Sequence, residues 1–403
     1  MQGEEGDRRC RGRNNEERPK GDQRALSNVR RGDVQDPRKQ TVFRNGADRA
    51  PAGVLIDLCH RSPSMPQELA YVIITPYSLH KSRTGGILAR LISRTGLDLA
   101  AARMFGPGSQ LVEEYSQTAV SANDPQDRRI QELIRDYIRR NLAPDPRTGR
   151  RRRVMMLVFR GEDAVRRIRS VVGHLHPDRR GGETIRDTYG DLILEEDNTV
   201  GYFEPAVLAA PTRDEAEVKL KLWARYAETD GGLLENVITY PPGEVPERTL
   251  VLIKPDNFRF PTGRPGNMID FFSRTGLFIV AIHVHQMSTA EALEFYGPVR
   301  EILRTKLVDS VGAKAKVILD KELGLALPAD TEKTLGQLLG PLVGEQQFDN
   351  IVRFMSGRSA AECDPSAMDE PGTQKCIALV YEGHQAVSKI RDVICPTDPS
   401  KAK

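Results

Sequence analysis

The pentapeptide SRTGL occurs twice in this chain, at residues 93–97 and again at 273–277, 180 positions later. Each copy closes a run whose apolar residues recur at helical spacing, and its glycine is a typical helix stop. A short run of strand character precedes each helix, ELAYVIITP at 68–76 and TLVLIKPD at 249–256. Similarity at a fixed distance is the signature of a repeat, so we expect two similar units in tandem.

A second strand and helix follow in each unit. VMMLVF at 154–159 and CIALVYEG at 376–383 have the apolar character of strands. GEDAVRRIRSVVG and AVSKIRDVI follow them, and the first of these puts five apolar residues on one helical face: Ala164, Val165, Ile168, Val171 and Val172. Leu157 and Leu379 are separated by 222 positions, which is 42 more than the separation of the SRTGL copies. We therefore predict an insertion of that size in the second unit, within 302–347, because loop positions tolerate insertions.

These patterns divide the chain into four parts. Residues 1–64 are rich in Arg, Asp, Asn, Gln and Gly, which predicts a disordered leader. Two interpretations of it stay open: a flexible tail, or translated non-coding sequence upstream of a natural start at Met65. The first unit spans 65–225, a Gly/Pro-bearing linker spans 226–246, and the second unit spans 247–403. The second unit is expected to lack the last part of the first one.

Composition excludes several classes of protein. The chain has 403 residues and a net charge of +3, so its overall charge requires neither nucleic acid nor an anionic membrane as a partner. Its five cysteines form no C-x-x-C pair, which argues against a zinc knuckle and a secreted disulfide scaffold. No signal-peptide core and no apolar run of about 20 residues is present. We expect a soluble, cytoplasmic protein without membrane contact.

The run RTGRRRR at 147–153 is the strongest local cluster of charge. It has no interleaved aromatic residues, which favours a solvated loop over a nucleic-acid patch. Nucleic-acid binding stays open as a third class of function, and it predicts steep salt dependence that is lost when Arg150, Arg151, Arg152 and Arg153 are neutralised.

Two histidine pairs need the same comparison. His174 and His176 lie in GHLHPD, where surface-loop polarity is the favoured explanation. His283 and His285 alternate along a predicted strand and share one face. A zinc pair at that spacing needs a third ligand, so a solvated or hydrogen-bonded strand face is favoured.

Four short motifs resemble the nucleoside diphosphate kinase family. They are Lys254-Pro255-Asp256 at a strand end, EG-x-x-AV-x-K-I-R ending at Arg391, Thr397-Asp398-Pro399, and Glu183-Thr184-Ile185-Arg186 in the first unit. The resemblance covers both units apart from the insertion. It implies an α+β fold of two ferredoxin-like modules, each an antiparallel sheet covered by helices. It also implies a ping-pong reaction in which a histidine accepts the γ-phosphoryl group of a nucleoside triphosphate and passes it to a diphosphate, with Mg²⁺.

In the second unit, five positions match residues that this family uses to hold a nucleotide: Lys254, Tyr296, Phe348, Arg391 and Thr397. By resemblance, Lys254 contacts the phosphates, and Arg391 and Thr397 hold phosphate oxygens. Tyr296 is expected near the nucleophile, and Phe348 is expected to offer a stacking face to the base. The family's second arginine, asparagine and catalytic histidine have no counterpart before Lys403.

The first unit has its full length but lacks several residues that the family's reaction needs. Tyr115, Arg169 and Arg186 match the family's tyrosine and its two phosphate arginines. The positions of the lysine, threonine, asparagine and catalytic histidine hold, in that order, Thr75, Leu175, Pro205 and Leu208. Leucine cannot accept a phosphoryl group, so the first unit is predicted to be degenerate.

The resemblance predicts a kinase that exchanges γ-phosphate among nucleoside tri- and diphosphates. Whether this chain is itself an enzyme stays open, because it lacks the histidine; the alternative is a non-catalytic nucleotide-binding or interaction protein. The degenerate unit is expected to pair with the other one within the chain, and a homo-oligomer is a further option.

Overall fold

The computed structural model of this protein describes residues 67–122, 124–175 and 182–394. The predicted leader, Met65, His176 and Thr397 lie outside the described residues. The described chain is an α+β protein in which every sheet is antiparallel.

The first half of the chain contains six strands and eight helices among its described residues. The strands are β1 (Glu68–Ile74), β2 (Asp98–Phe105), β3 (Val154–Gly161), β4 (Asp191–Leu194), β5 (Val200–Glu204) and β6 (Val207–Ala209). The helices are α1 (Pro76–His80), α2 (Thr84–Thr95), α3 (Ser109–Gln117), α4 (Arg128–Asn141), α5 (Ala164–Val172), α6 (Ile185–Tyr189), α7 (Arg213–Arg225) and α8 (Ala227–Asp230).

The second half contains three strands and four α-helices in the part that the structure describes. They are β7 (Glu247–Ile253), α9 (Arg264–Ser273), β8 (Phe278–His285), α10 (Thr289–Leu323), α11 (Ala329–Ser356), β9 (Cys376–Gly383) and α12 (Ala386–Ile394). A short 3₁₀ turn, Pro255–Phe258, follows β7.

Two of the sheets share a strand order. The first sheet runs β2-β3-β1-β6. In the corresponding direction the second sheet runs β8-β9-β7, and β4 and β5 form a separate hairpin. Strand β1 has neighbours on both sides, and its last five residues are all buried, which explains the unbroken apolar run in its sequence. Sequence alternation is weak here because both faces of the strand are covered.

The structure repeats its elements at the distances seen in the sequence. Strands β2 and β8 are offset by the spacing of the SRTGL copies, and each has a register shift at the same place, between Leu99 and Ala101 and between Ile279 and Ala281. Strands β3 and β9, like helices α5 and α12, are offset by the longer spacing that separates Leu157 from Leu379. Extra residues on one strand of a pair are β-bulges, which bend a strand at a defined position. The two sheets are therefore bent alike.

The halves contact each other through one helix and one edge strand from each. Helix α2 packs on α9, and β2 lies beside β8. The helices touch at Gly85 and Gly266, where a Cβ added to Gly266 would collide with the carbonyl oxygen of Gly85. Only glycine permits backbones to approach this closely.

Helices α10 and α11 form a long hairpin, and the predicted insertion at 302–347 lies within it. A capping box between Ser288 and Glu291 begins α10, and left-handed Gly324 ends it. The two helices are in contact at Gly336 and Gly340, both against Val308. Within the described ranges, no helix combines the length and apolar character needed to cross a membrane.

Candidate functional site

Thr75 and Lys254 occupy matching places in the two halves. Each follows a sheet strand, β1 or β7, each precedes a proline, and each is the N-cap of a short helical turn. Their backbone conformations agree, with φ of −67° for Thr75 and −73° for Lys254. The proline favours this extended conformation in the residue before it. The environments of the two side chains differ completely.

The Thr75 side chain lies in a buried polar network. Its hydroxyl donates to Glu204 Oε1 over 2.9 Å, and the Tyr137 hydroxyl donates to Glu204 Oε2 over 2.7 Å. The backbone N–H of Ala206 also donates to Glu204. Burial is the largest cause of the raised pKa of Glu204, which these hydrogen bonds partly oppose. A buried carboxyl group therefore lies beside Thr75, at the strand end that corresponds to Lys254 in the second half.

Arg169 and Arg186, which were expected to hold phosphate in the first half, both donate hydrogen bonds to backbone carbonyl oxygens. Arg186 is 8% exposed and donates to the carbonyl oxygens of Gly173, over 2.9 Å, and Val207, over 3.3 Å. Among the described residues its Nε has no hydrogen-bond partner. Burial, and secondly the charge of Arg169, lower the pKa of Arg186 to about 10. Arg169 donates to the carbonyl oxygen of Pro211. Arg186 is therefore buried and held by the backbone, whereas Arg169 is partly exposed and has one backbone partner.

Leu208 closes the same region. It is 2% exposed, lies on β6 and pairs with Ile73 of the central strand. The Tyr115 hydroxyl is hydrogen-bonded to that of Tyr71 at 3.3 Å, and burial raises the pKa of Tyr115. A cavity of about 20 Å³ is lined by Tyr115, Arg186 and Leu208. That volume holds a single water molecule and excludes a nucleotide.

The Lys254 side chain is exposed, in contrast to the buried Thr75. No described acidic group forms an ion pair with this lysine. The register of β7 with β9 pairs Ile253 with Ile377, so Lys254 lies at the same end of the sheet as Cys376. The amine is therefore available to an anion at this edge.

Arg391 lies in the last turn of α12 and is exposed. Helix α12 packs on β7, and its first turn is fixed to the start of that strand by a hydrogen bond from Val387 N to Glu247. Arg391 is one turn further along the helix, away from the start of β7. The structure thus attaches Lys254 and Arg391 to one strand and its covering helix.

Tyr296 and Phe348 belong to one apolar cluster at the base of the hairpin, together with Cys376. Phe348 is 4% exposed, and the Arg300 guanidinium lies over its ring, 5.5 Å from the centroid. Phe348 is therefore buried in this structure, and the ring that was expected to stack on the base is covered by the protein. The reason is helical phase: Phe348, Val352 and Met355 share the face of α11 that packs inward. Tyr296 is half-buried, and burial raises its pKa.

The arginine run serves the fold. Arg151 donates to Asp230 and to the carbonyl oxygens of Gly106 and Thr229, and Arg152 donates to the carbonyl oxygen of Arg140. Arg153 donates to a carbonyl oxygen of the other half. Three of the five arginine side chains of the run therefore donate to protein groups, while Arg147 is exposed.

A pair of cations that the sequence reasoning missed joins the halves. Arg153 and Lys375 each immediately precede a strand, β3 or β9, and therefore occupy one position of the repeat. Arg153 donates to the carbonyl oxygen of Ile279 over 2.6 Å, and Lys375 donates to that of Leu99 over 2.7 Å. Lys375 also forms an ion pair with Asp98. Burial lowers the pKa of Arg153 to about 10. The shared repeat position of the two cations was a signal readable from the sequence.

The strand histidines lie near the junction of the halves. The rings of His283 and His285 are 5.7 Å apart, and His285 Nε2 is 3.0 Å from Glu291 Oε2. Burial, followed by the nearby His285 and Arg103, lowers the pKa of His283. In the part of the chain that the structure describes, no three His, Cys, Asp or Glu residues form a metal-binding group.

No protein-family model and no curated protein matches the sequence. Among solved structures, similar ones include the nucleoside diphosphate kinase of Aquifex aeolicus, with 18% identity over 39% of this chain and 95% of that one, and a TM-score of 0.28. Another is the Borrelia burgdorferi enzyme with bound vanadate and ADP, with 16% identity over 44% of this chain and 94% of that one, and a TM-score of 0.32. The kinase of Pyrobaculum aerophilum has 20% identity over 39% and 96%, and a TM-score of 0.28.

Proposed function

We propose that this chain binds nucleoside tri- and diphosphates through its second half, and that it takes part in phosphoryl transfer of the nucleoside diphosphate kinase type. The observation that carries the proposal is the contrast at one repeat position. Thr75 is hydrogen-bonded to a buried carboxyl group, whereas Lys254 is exposed and unpaired among the described residues. A cation at a strand end suits phosphate oxygens, and Arg391 would add a second positive charge.

The proposed architecture is two ferredoxin-like modules, 65–225 and 247–403, joined by the linker 226–246. The matching strand orders of the two sheets support this architecture, as do the β-bulges at corresponding positions of β2 and β8. In this proposal the first module is a structural partner. Its Leu208 has no nucleophilic atom, and its closed cavity has no room for a nucleotide.

We also propose that the modules pair within the chain as two subunits of a symmetric dimer would. In such an interface, when residue i of one partner contacts residue j of the other, j also contacts i. The contacts of Arg153 with Ile279 and of Lys375 with Leu99 follow this rule, because the two cations match across the repeat and so do the two carbonyl groups. A covalent connection holds the partners at a high effective concentration.

Magnesium would arrive with the nucleotide as part of the substrate, because Mg²⁺ is generally bound through substrate phosphates. In kinase chemistry of this type the γ-phosphoryl group moves from the triphosphate to a histidine and then to a diphosphate; Leu208 cannot be that histidine, and no position matched in the second half is a histidine. The second candidate is nucleotide binding without transfer, which is favoured by leucine at the nucleophile position of the first half.

Binding is tested first, by calorimetric titration of the chain with MgATP. We expect Lys254→Ala to weaken binding about tenfold, or ~1.4 kcal/mol, through the loss of one charged contact. Lys333→Ala removes an exposed lysine of α11 and serves as the matched control. If the unaltered chain does not bind MgATP, or if both variants bind equally well, the proposal fails.

Transfer is tested by incubation with γ-labelled ATP and Mg²⁺. Label that is stable in alkali and lost in acid marks phosphohistidine, and it would mean that a histidine outside the matched positions carries the transfer. Binding without label supports the second candidate.

A further inference from the structure

The α10–α11 hairpin exposes more apolar surface than an isolated pair of helices tolerates. Eight large apolar side chains on it are between 46% and 67% exposed: Phe295, Ile302, Val317, Ile318, Leu323, Leu325, Leu338 and Leu342. Four of them, from Val317 to Leu325, crowd the tip. Helices with apolar residues on every side are normally covered by other elements. Among the described residues, the outer part of the hairpin has no such cover, since α10 and α11 pack mainly on each other.

The hairpin is also preformed. Gly312 and Gly336 meet across the two helices, and Gly340 and Gly344 face Val308 and Arg304 of α10. A Cβ added to Gly344 would lie 2.9 Å from the Arg304 backbone. These contacts set the separation of the helices before any partner binds. Association then costs less ordering entropy than it does for a flexible segment.

Charge on the hairpin is divided between its helices. In 302–323, the part of α10 beyond the base, five residues are basic and three are acidic; in 329–347 of α11, one is basic and three are acidic. The two segments therefore carry net charges of +2 and −2, or +1 and −1 without Arg304 and Glu345, which pair with each other inside the hairpin. An antiparallel second hairpin would set each basic helix against an acidic one. A surface without net charge does not select an anionic membrane or nucleic acid.

The available area is of the right order for a dimer. Eight half-exposed large side chains offer several hundred Å² of apolar surface, which approaches the roughly 800 Å² that each partner contributes to a standard interface. From exposure, preformed geometry and divided charge, we propose that the α10–α11 hairpin binds the same hairpin of a second copy of this chain, as an antiparallel four-helix bundle. The proposal does not depend on nucleotide chemistry.

Sedimentation velocity of the full chain, from about 1 to about 100 µM, tests the dimer. The 44.9 kDa chain should shift to twice its mass as concentration rises. Leu338→Gln with Leu342→Gln should weaken dimerisation at least tenfold. Val245→Gln alters a side chain that is 84% exposed outside the hairpin and should have no effect. A chain that stays monomeric throughout, or a dimer equally strong in the double variant and the control, overturns the proposal.

Charge reversal tests whether the partner is a second copy. Lys314→Glu with Lys321→Glu makes α10 acidic, and Asp330→Lys with Glu332→Lys makes α11 basic. Each reversed chain should dimerise more weakly than the original, because like charges then face each other. An equimolar mixture should recover dimers that contain one chain of each kind. Reversed chains that dimerise as the original does, or that fail to combine when mixed, contradict the antiparallel bundle.

Discussion

Single residues give the two matched strand ends different environments. Thr75 is tied to Glu204, whereas Lys254 projects freely. A lysine at position 75 would bring its amine next to a buried carboxyl group, so that one substitution would not create a phosphate site. The interior of the first half is closed around its own polar groups, and Arg186 with its two carbonyl partners is part of that closure. Most buried polar groups are hydrogen-bonded, and here backbone carbonyl oxygens accept from both Nη atoms of Arg186, although its Nε has no partner among the described residues.

Glu204 should make stability depend on pH. Its pKa in the folded protein is raised above the ordinary value of 4.5, so the folded state holds this proton more tightly than the unfolded state. The resulting stabilisation is complete below pH 4.5 and is lost as the pH rises through the raised value. We expect Glu204→Gln to lack this loss. The check is the difference in unfolding free energy between the two proteins, by urea denaturation across this window; a difference independent of pH would contradict the assignment.

Arg153 should matter far more than its neighbours in the arginine run. Arg153→Met removes a charged hydrogen bond to Ile279 and the contact of its guanidinium with the Phe278 ring, 5.1 Å from the centroid. We expect a loss of about 2 kcal/mol in unfolding free energy. Arg147→Met, at an exposed position of the same run, should change it by less than about 0.5 kcal/mol. Equal losses of unfolding free energy for the two variants in urea denaturation would show that the contact of Arg153 with Ile279 does not stabilise the fold.

At the scale of elements, short sequence signals have direct structural counterparts. The two SRTGL copies end α2 and α9, and Gly96 and Gly276 each adopt a left-handed conformation after them, with φ of 64° and 70°. The strands after them carry bulges of equal position. The hairpin α10–α11 has no comparable local signal for its packing, because its contact depends on glycines that lie on different helices.

Gly340→Ala inside the hairpin would place a Cβ 2.8 Å from the Val308 backbone, which forces the helices apart, and we expect a loss of about 1–3 kcal/mol in unfolding free energy. Ser310→Ala, at an exposed position of α10, should change the unfolding free energy by less than about 0.5 kcal/mol. Chemical denaturation measures both changes, and equal losses would contradict the packing argument.

For the whole molecule, the contact between the halves is the main feature. Helix α2 packs on α9, and beside this contact Arg153 and Lys375 donate across from one sheet to the other, each to an edge strand of the opposite half. The halves should therefore unfold together, because neither half has its full set of partners without the other.

Gly266→Leu should uncouple them. Its side chain would collide with the backbone of Gly85 and Ala89, which cannot move without shifting α2. We expect the single calorimetric transition of the original chain to split into two, while Ser310→Ala, at an exposed position of α10, keeps one. Two transitions already present in the unaltered chain would show that the halves are independent.

The spacing of the similar strand and helix patterns and the glycines that end helices could be read from local patterns, because periodicity and glycine conformation act over a few residues. The absence of a nucleophilic atom at Leu208 was visible in the same way. The inward face of Phe348, the carboxyl group beside Thr75 and the carbonyl partners of Arg186 could not be read, since each depends on residues brought close by folding. The joining of the halves belongs to this second kind: the matching positions of Arg153 and Lys375 are local information, but their contact with the opposite bulge exists only when two sheets meet edge to edge.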